Sequence, residues 1–326
     1  MQQHKLITSM LAILTFQVLA LGQIQFSGFA DILFVQTLDE PNVSEIRYGQ
    51  FEIDLSASIR PGISFEGAIA LNPATGGFDV GAGFIEIGFA GEEALHPVRG
   101  KYLDHFGISV GQFDVPFGID WQHIASPDRR LVSPPLLNEK SINGWNDIGL
   151  NLHTDLGRTT LAGFMVNGAA DGFAMGGRAS YSPLEATELG FSYMTQTKSN
   201  DLDLKPRVIG GDLQTTIGPL ATCMEVHYTE NLFGGDFEAI DSIDSHHGFY
   251  LQTDLDLNDI LNIPLVLIGR YDDWSTINNS AVAQRSTLGL AYTLTDGFEV
   301  RTEYMQDIIN GEQEVSQFVI QMLVSF

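Results

Sequence analysis

Cysteine is nearly missing from this chain. Cys223 stands alone among 326 residues, which excludes an intrachain disulfide framework. Basic side chains are scarce as well: 16 Lys and Arg face 41 Asp and Glu, a formal charge of −25. Phosphate backbones require the opposite balance, so nucleic acid is excluded as a partner. Beyond the N-terminus there is no apolar run near the roughly 20 residues that a membrane helix needs. Helical periodicity is wanting across most of the chain. What is present instead is alternation, together with 34 glycines, 10% aromatic residues and 44% hydrophobic residues. That content argues against disorder and for strands and turns.

The N-terminus has its own pattern. Met1-Gln-Gln-His-Lys5 is short and positive, Leu6 to Leu21 is mostly apolar, and Ala20-Leu-Gly22 places small residues before Gln23. These are the parts of a secretory signal peptide, residues 1–22. A membrane-anchoring helix is the alternative, weakened by Thr8, Ser9, Thr15 and Gln17. The mature chain would run 23–326, exported without a helical anchor.

Reading the alternation between turn signals gives sixteen strands. They are expected near 24–35, 48–60, 62–71, 78–89, 104–113, 146–155, 158–167, 173–182, 186–197, 205–217, 219–229, 246–256, 263–273, 283–294, 297–306 and 315–326. Fourteen or eighteen remain open. Tight connections at Arg60-Pro-Gly62, Asp155-Leu-Gly-Arg158, Gly218-Pro219 and Thr295-Asp-Gly297 alternate with longer polar ones, as in a transmembrane β-barrel with periplasmic turns and external loops. The fold class is therefore all-β, an antiparallel transmembrane barrel of about 16 strands. Phe51, Ile53, Leu55, Leu288, Leu290 and Tyr292 should meet lipid, while their alternate neighbours point into a polar, wet interior. The phase slips near Gly83-Phe84, which predicts a bulge. Asp272-Asp273-Trp274 reads as a strand end with an interfacial tryptophan.

The chain closes on Phe318, Ile320, Met322, Val324 and Phe326 at period two. This ending resembles the terminal signature of bacterial outer-membrane proteins, which implies recognition by the barrel assembly machinery and residence among outer-membrane lipid. A second resemblance lies in Gly111-Gln-Phe-Asp-Val-Pro-Phe-Gly118 and in Phe26-Ser-Gly-Phe-Ala-Asp31. Both are similar to segments of the phosphate-selective porin O/P-like family. That resemblance implies a sixteen-stranded diffusion channel, usually a homotrimer, whose third external loop folds into the lumen. Residues 114–146, the longest unpatterned stretch, match such a loop; a surface-exposed loop or a subunit contact is the alternative. Pro116, Pro127, Pro134 and Pro135 would stiffen it, and Trp121 and Trp145 could anchor it.

The expected walls depart from the family. Phosphate-selective members carry basic pores, whereas the inward positions here are acidic: Asp31, Glu52, Asp54, Glu66, Glu86, Asp212, Glu225, Asp254, Asp272, Glu299 and Glu303. The basic ones are Arg60, Arg178, Arg270 and Arg301. Carboxylate rings favour cations, so a mild cation preference is expected; rim charge is the bland alternative. The loop adds Asp114, Asp120, Asp128, Arg129, Arg130 and Glu139 as candidate constriction residues. Arg129 and Arg130 could set a transverse field or fasten the loop through ion pairs. Pore-lining candidates are Glu52, Asp54, Glu66, Asp212, Glu225, Asp254, Arg270, Glu299, Arg301 and Glu303.

Catalysis is not expected. His123-Ile-Ala-Ser126 shows no orienting partner in sequence, although triads are recognised by geometry rather than by order. No cofactor is expected, and no metal site: Asp236–His247 gathers acids and histidines without a recognised spacing. The functional expectation is an outer-membrane porin of a Gram-negative-type bacterium, passing small hydrophilic solutes or ions by passive diffusion. A structural or adhesin barrel with a closed lumen is the alternative.

Overall fold

Alternation is realised as sixteen strands in the computed structural model, which describes residues 24–38, 43–72, 76–90, 95, 104–142, 144–168, 172–197, 205–231, 245–277 and 282–326. The expected leader, 1–22, lies outside them. The strands are β1 (Ile24–Thr37), β2 (Val43–Arg60), β3 (Ile63–Asn72), β4 (Gly77–Ala90), β5 (His105–Asp114), β6 (Asn146–Leu156), β7 (Thr159–Val166) and β8 (Ala174–Leu184). There follow β9 (Thr187–Gln196), β10 (Arg207–Ile217), β11 (Leu220–Glu230), β12 (His246–Asp256), β13 (Leu265–Thr276), β14 (Val282–Thr295), β15 (Phe298–Ile309) and β16 (Glu312–Ser325). Each pairs with its sequence neighbours, and β1 closes antiparallel on β16, so the sheet has no edge. Pairing runs from Phe29↔Ser325 to Thr37↔Gln317. The Gly28 and Phe326 backbones exchange two hydrogen bonds, of 3.1 and 3.0 Å, which fix the terminal phenylalanine in the seam.

The two faces of the wall differ as the alternation requires. Leu288, Phe191, Met322, Ile148 and Leu251 are exposed on the outside. Tyr181 and Tyr292 lie toward the tight-turn rim of the barrel, and Tyr48, Tyr193, Tyr271 and Tyr304 toward the loop rim, all exposed. An apolar band flanked by aromatic rings is the exterior of a barrel immersed in lipid. No helix of the described residues is long and apolar enough to cross a membrane; the strands do so.

The expected bulge in β4 is present and sits at Gly81, where register steps from Ala68↔Ala82 to Ile69↔Val80. Phe78, Val80 and Ile85 can therefore all face outward despite their mixed parity. The expected loop 307–314 is replaced by longer strands joined at Asn310-Gly311, whose φ angles of 54° and 85° are those of a two-residue hairpin turn. Trp274 is not interfacial. It lies on the inward face of β13, with Asp272 and Arg270, and packs beneath the third loop.

Candidate pore constriction

The 115–145 segment enters the barrel because the wall offers it an apolar seat. In a strand with one wet face, inward residues should be polar. On β7–β10, however, Phe164, Val166, Ala174, Met194 and Val208 are inward, apolar and buried. Phe113, Val115, Phe117 and Ile142 cover them, and Trp145 meets Phe164 edge-on at 6.0 Å and 89°. Burying each large side chain stabilises the inward path by about 1.5–3 kcal/mol. The interior is thus not polar throughout.

Gly118, the last residue of the Gly111–Gly118 segment, turns the chain at φ +65°, and a Cβ there would lie 1.6 Å from Glu225 Oε1. The Gly118 N–H donates to Ser192 Oγ at 3.0 Å, and the Ile119 N–H to Glu225 Oε2 at 3.4 Å. Substituting Gly118→Ala should lower stability by at least the roughly 1–2 kcal/mol of a left-handed alanine, because the buried Glu225 must also move. Urea unfolding in lipid vesicles measures this; an unchanged midpoint would show that the loop does not dock as described.

From Gly118 the loop crosses to the seam. Ser126 is buried there: its Oγ donates to Asp31 Oδ2 at 2.5 Å, and its carbonyl accepts from Arg301 Nη1 at 2.7 Å. Gln321 Nε2 donates to the same Asp31 oxygen at 2.6 Å, which ties β16, β1 and the loop together. Next, Leu131 packs on Ile268 and Ala291. The Val132 and Ser133 N–H groups donate to Glu303 Oε2 at 2.7 and 3.1 Å. Arg270 donates to Ser133 O, Ser133 Oγ and Pro134 O at 2.9, 2.9 and 3.0 Å. A short helix, α1 (Leu136–Lys140), begins with the Leu136 N–H donating to Asp272 Oδ1 at 2.8 Å. Leu136 and Leu137 then fill the space against Tyr250 and Trp274.

The candidate residues consequently fall into two groups. Arg301 pairs with Glu299, Arg270 with Asp272 at 2.9 Å, and Arg178 with Asp212 at 2.7 Å and Glu188 at 2.8 Å. Glu139 pairs with Arg285 at 2.8 Å, and Arg285 also with Asp307 at 2.7 Å. Glu225, Glu303, Arg270 and Arg301 are buried beneath the loop. These side chains hold the loop or the wall. The second group borders the lumen or its cavity, and of these Arg129 also donates from Nη2 to Ser126 Oγ at 3.2 Å. Glu52 and Asp54 are half-buried on β2, Glu52 within electrostatic reach of Asp114 and Asp128 and Asp54 of Asp128. Glu66 is exposed on the inward face of β3. Asp128, Arg129, Arg130 and Asp254 line a cavity of about 530 Å³ between the loop and β10–β13, with Gln214, Thr222 and Gln252. Asp120 begins a single 3₁₀ turn (Asp120–Gln122); its side chain is outside the description. Of the acidic Asp236–His247 stretch, residues up to 244 lie outside the described residues, and His246 stacks on Trp274.

One constellation was not legible in the sequence. Ser141 Oγ lies 2.8 Å from His227 Nδ1, and His227 Nε2 lies 2.7 Å from Glu225 Oε1. The connectivity is that of a nucleophilic triad, but all three residues are at most 3% exposed. Ser141 Oγ is also 2.7 Å from the Leu137 carbonyl. The adjoining cavity holds about 10 Å³, room for one water and not for a substrate. Ser141 and Ile119 sit 22 residues apart in the loop, so this trio fastens two of its limbs to β11.

No family model matches the chain, and no curated protein sequence matches it. The Gly111–Gly118 resemblance therefore assigns no family. Among solved structures, an anion-selective porin from Comamonas acidovorans is similar with a TM-score of 0.66 at 12% identity, over 93% of this chain and 99% of that one. The trimer form of OmpT, an outer membrane protein of Vibrio cholerae, gives 0.63 at 12%, over 94% and 99%. The outer membrane channel DcaP of Acinetobacter baumannii gives 0.65 at 11%, over 93% and 97%. At these identities the likeness is one of fold, and the fold is that of the sixteen-stranded outer-membrane porin barrel.

Proposed function

We propose that the protein is an outer-membrane porin of a Gram-negative-type bacterium, through which small hydrophilic solutes or ions diffuse passively, with a mild preference for cations. The observation that carries this reading is a loop pinned across the lumen, with a cavity of about 530 Å³ left between it and β10–β13 that Asp128, Arg129, Arg130 and Asp254 line. A rigid constriction bordered by water is what a size-selective pore requires. The cation preference rests on Glu52, Asp54, Glu66, Asp114 and Asp254, since the wall arginines Arg178, Arg270, Arg285 and Arg301 are all in ion pairs. Passage rather than catalysis is inferred because the triad-like trio has no substrate space. A homotrimer and delivery by the barrel assembly machinery through β16 belong to the same proposal; chemical cross-linking in detergent tests the first.

Purified protein in a planar lipid bilayer should give discrete current steps, and a salt gradient should give a reversal potential of cation-selective sign. The extent of the loop's contacts favours a second reading, a structural barrel with a closed lumen. A bilayer containing folded barrels but no current steps would establish that reading and overturn the first.

A further inference from the structure

We propose that Glu86, His105 and His153 form a binding site for one divalent transition-metal ion of the zinc class, at the tight-turn rim of the lumen. The three side chains come from adjacent strands, β4, β5 and β6, and all point inward. One ligand atom from each lies within 4.8 Å of the others. His153 Nε2 is 2.8 Å from Glu86 Oε1, and the His105 and His153 rings stack with centroids 5.0 Å apart at 23°.

An ion pair between Glu86 and a histidine would need one ring. A second imidazole brought to the same carboxylate is what a metal needs. Two imidazoles and one carboxylate suit zinc, copper or nickel rather than calcium or magnesium, which take oxygen ligands. All three residues are partly exposed, so water can complete the coordination, as in zinc sites with an open position. Two neighbours prepare the site. Ser109 Oγ donates to Glu86 Oε2 at 2.6 Å, which orients the carboxylate and leaves Oε1 toward the rings. Gly107 is the inward residue between His105 and Ser109, and a Cβ there would stand 2.2 Å from Glu86 Oε1 and 2.5 Å from His153 Cε1. Glycine keeps that space clear. A metal held at Nε2 takes His153 as the neutral imidazole with its ring proton on Nδ1.

Zinc titrated into the tag-free barrel in detergent, in competition with a chromophoric chelator, should bind one equivalent. His105→Ala and His153→Ala should each weaken binding more than tenfold, and Ser109→Ala about tenfold. His246→Ala with His247→Ala should leave it unchanged. Copper bound to the native barrel should show two nitrogen couplings in its electron paramagnetic resonance spectrum. His105→Gln, which leaves the Glu86–His153 contact in place, decides the matter if the alanine variants do not fold. Undiminished zinc affinity in His105→Gln, loss of binding only with the His246/His247 pair, or no stoichiometric zinc in the native barrel would each overturn the proposal.

Discussion

Replacing Arg270 with alanine should cost the barrel about 3–5 kcal/mol of unfolding free energy, the usual consequence of leaving one partner of a buried ion pair uncompensated. Arg270 is 4% exposed and Asp272 is fully buried. The guanidinium makes four hydrogen bonds at once, one to Asp272 and three to the Ser133–Pro134 backbone and hydroxyl. Its removal strands a carboxylate that retains the Leu136 N–H as a donor, and releases the limb of the loop that leads into α1. Lysine in its place supplies a point charge without the planar fork. Arg270→Lys should therefore keep Asp272 compensated and lose most of the loop bonds, at about 1–3 kcal/mol. Urea unfolding in lipid vesicles, followed by tryptophan fluorescence, separates the two variants. The loosened loop should also raise open-channel current noise in Arg270→Ala. An alanine variant within about 1 kcal/mol of the native barrel, outside the range expected for a buried pair, would show that the loop is held elsewhere.

The strands were legible because lipid on one side and water on the other impose period two over ten or more residues, and nothing else in the chain competes with that pattern. The long loop was legible as an interruption of it. Which acids bind the loop was harder to read. Arg270 with Asp272, and Glu299 with Arg301, are opposite charges two residues apart on one inward strand face. That spacing was a signal for ion pairing, and it was visible in the sequence. The apolar seat was announced too: Gly163-Phe-Met-Val166 is apolar on both faces, so a wet lumen cannot be its environment on the inner side. In contrast, no local pattern joins Ser141 to His227 across 86 residues, nor Ser126 to Asp31 across 95. Those contacts exist because a closed barrel brings every strand within reach of one segment crossing its lumen, and only the topology supplies them. The Glu86–His105–His153 cluster was hidden for the same reason. Its members occupy three neighbouring strands whose register, set by β-bulges, cannot be counted from sequence alone.

Neutralising the open acidic wall with Glu52→Gln, Asp54→Asn and Asp114→Asn together should abolish cation preference while leaving pore size unchanged. Among the described residues none of these three carboxylates has a basic ion-pair partner. Glu52 and Asp54 alternate on the inward face of β2, and Asp114 ends β5 at the start of the loop, where its Oδ1 accepts from Asn146 Nδ2 at 2.8 Å. The loop presents Arg129 and Arg130, with Asp128, at a cavity that Asp254 also lines, so removing the three carboxylates shifts the charge balance of the lumen toward the arginines. A unit charge a few ångströms from a permeating ion is worth about 4 kcal/mol at an effective dielectric constant of about 20, enough for three charges to set the sign of selectivity. The screening length falls from about 10 Å at 0.1 M salt to about 3 Å at 1 M. The native preference should therefore be clear in dilute potassium chloride gradients and fade in concentrated ones. The triple variant should give a reversal potential at zero or of anion-selective sign, with conductance in 1 M salt close to that of the native protein. Arg129→Ala with Arg130→Ala should move the potential the other way. Should neither set shift it in 0.1 M salt, the ions pass beyond the reach of these groups, and the carboxylates on β2 and β5 are surface charge of the vestibule rather than the wall of the pore.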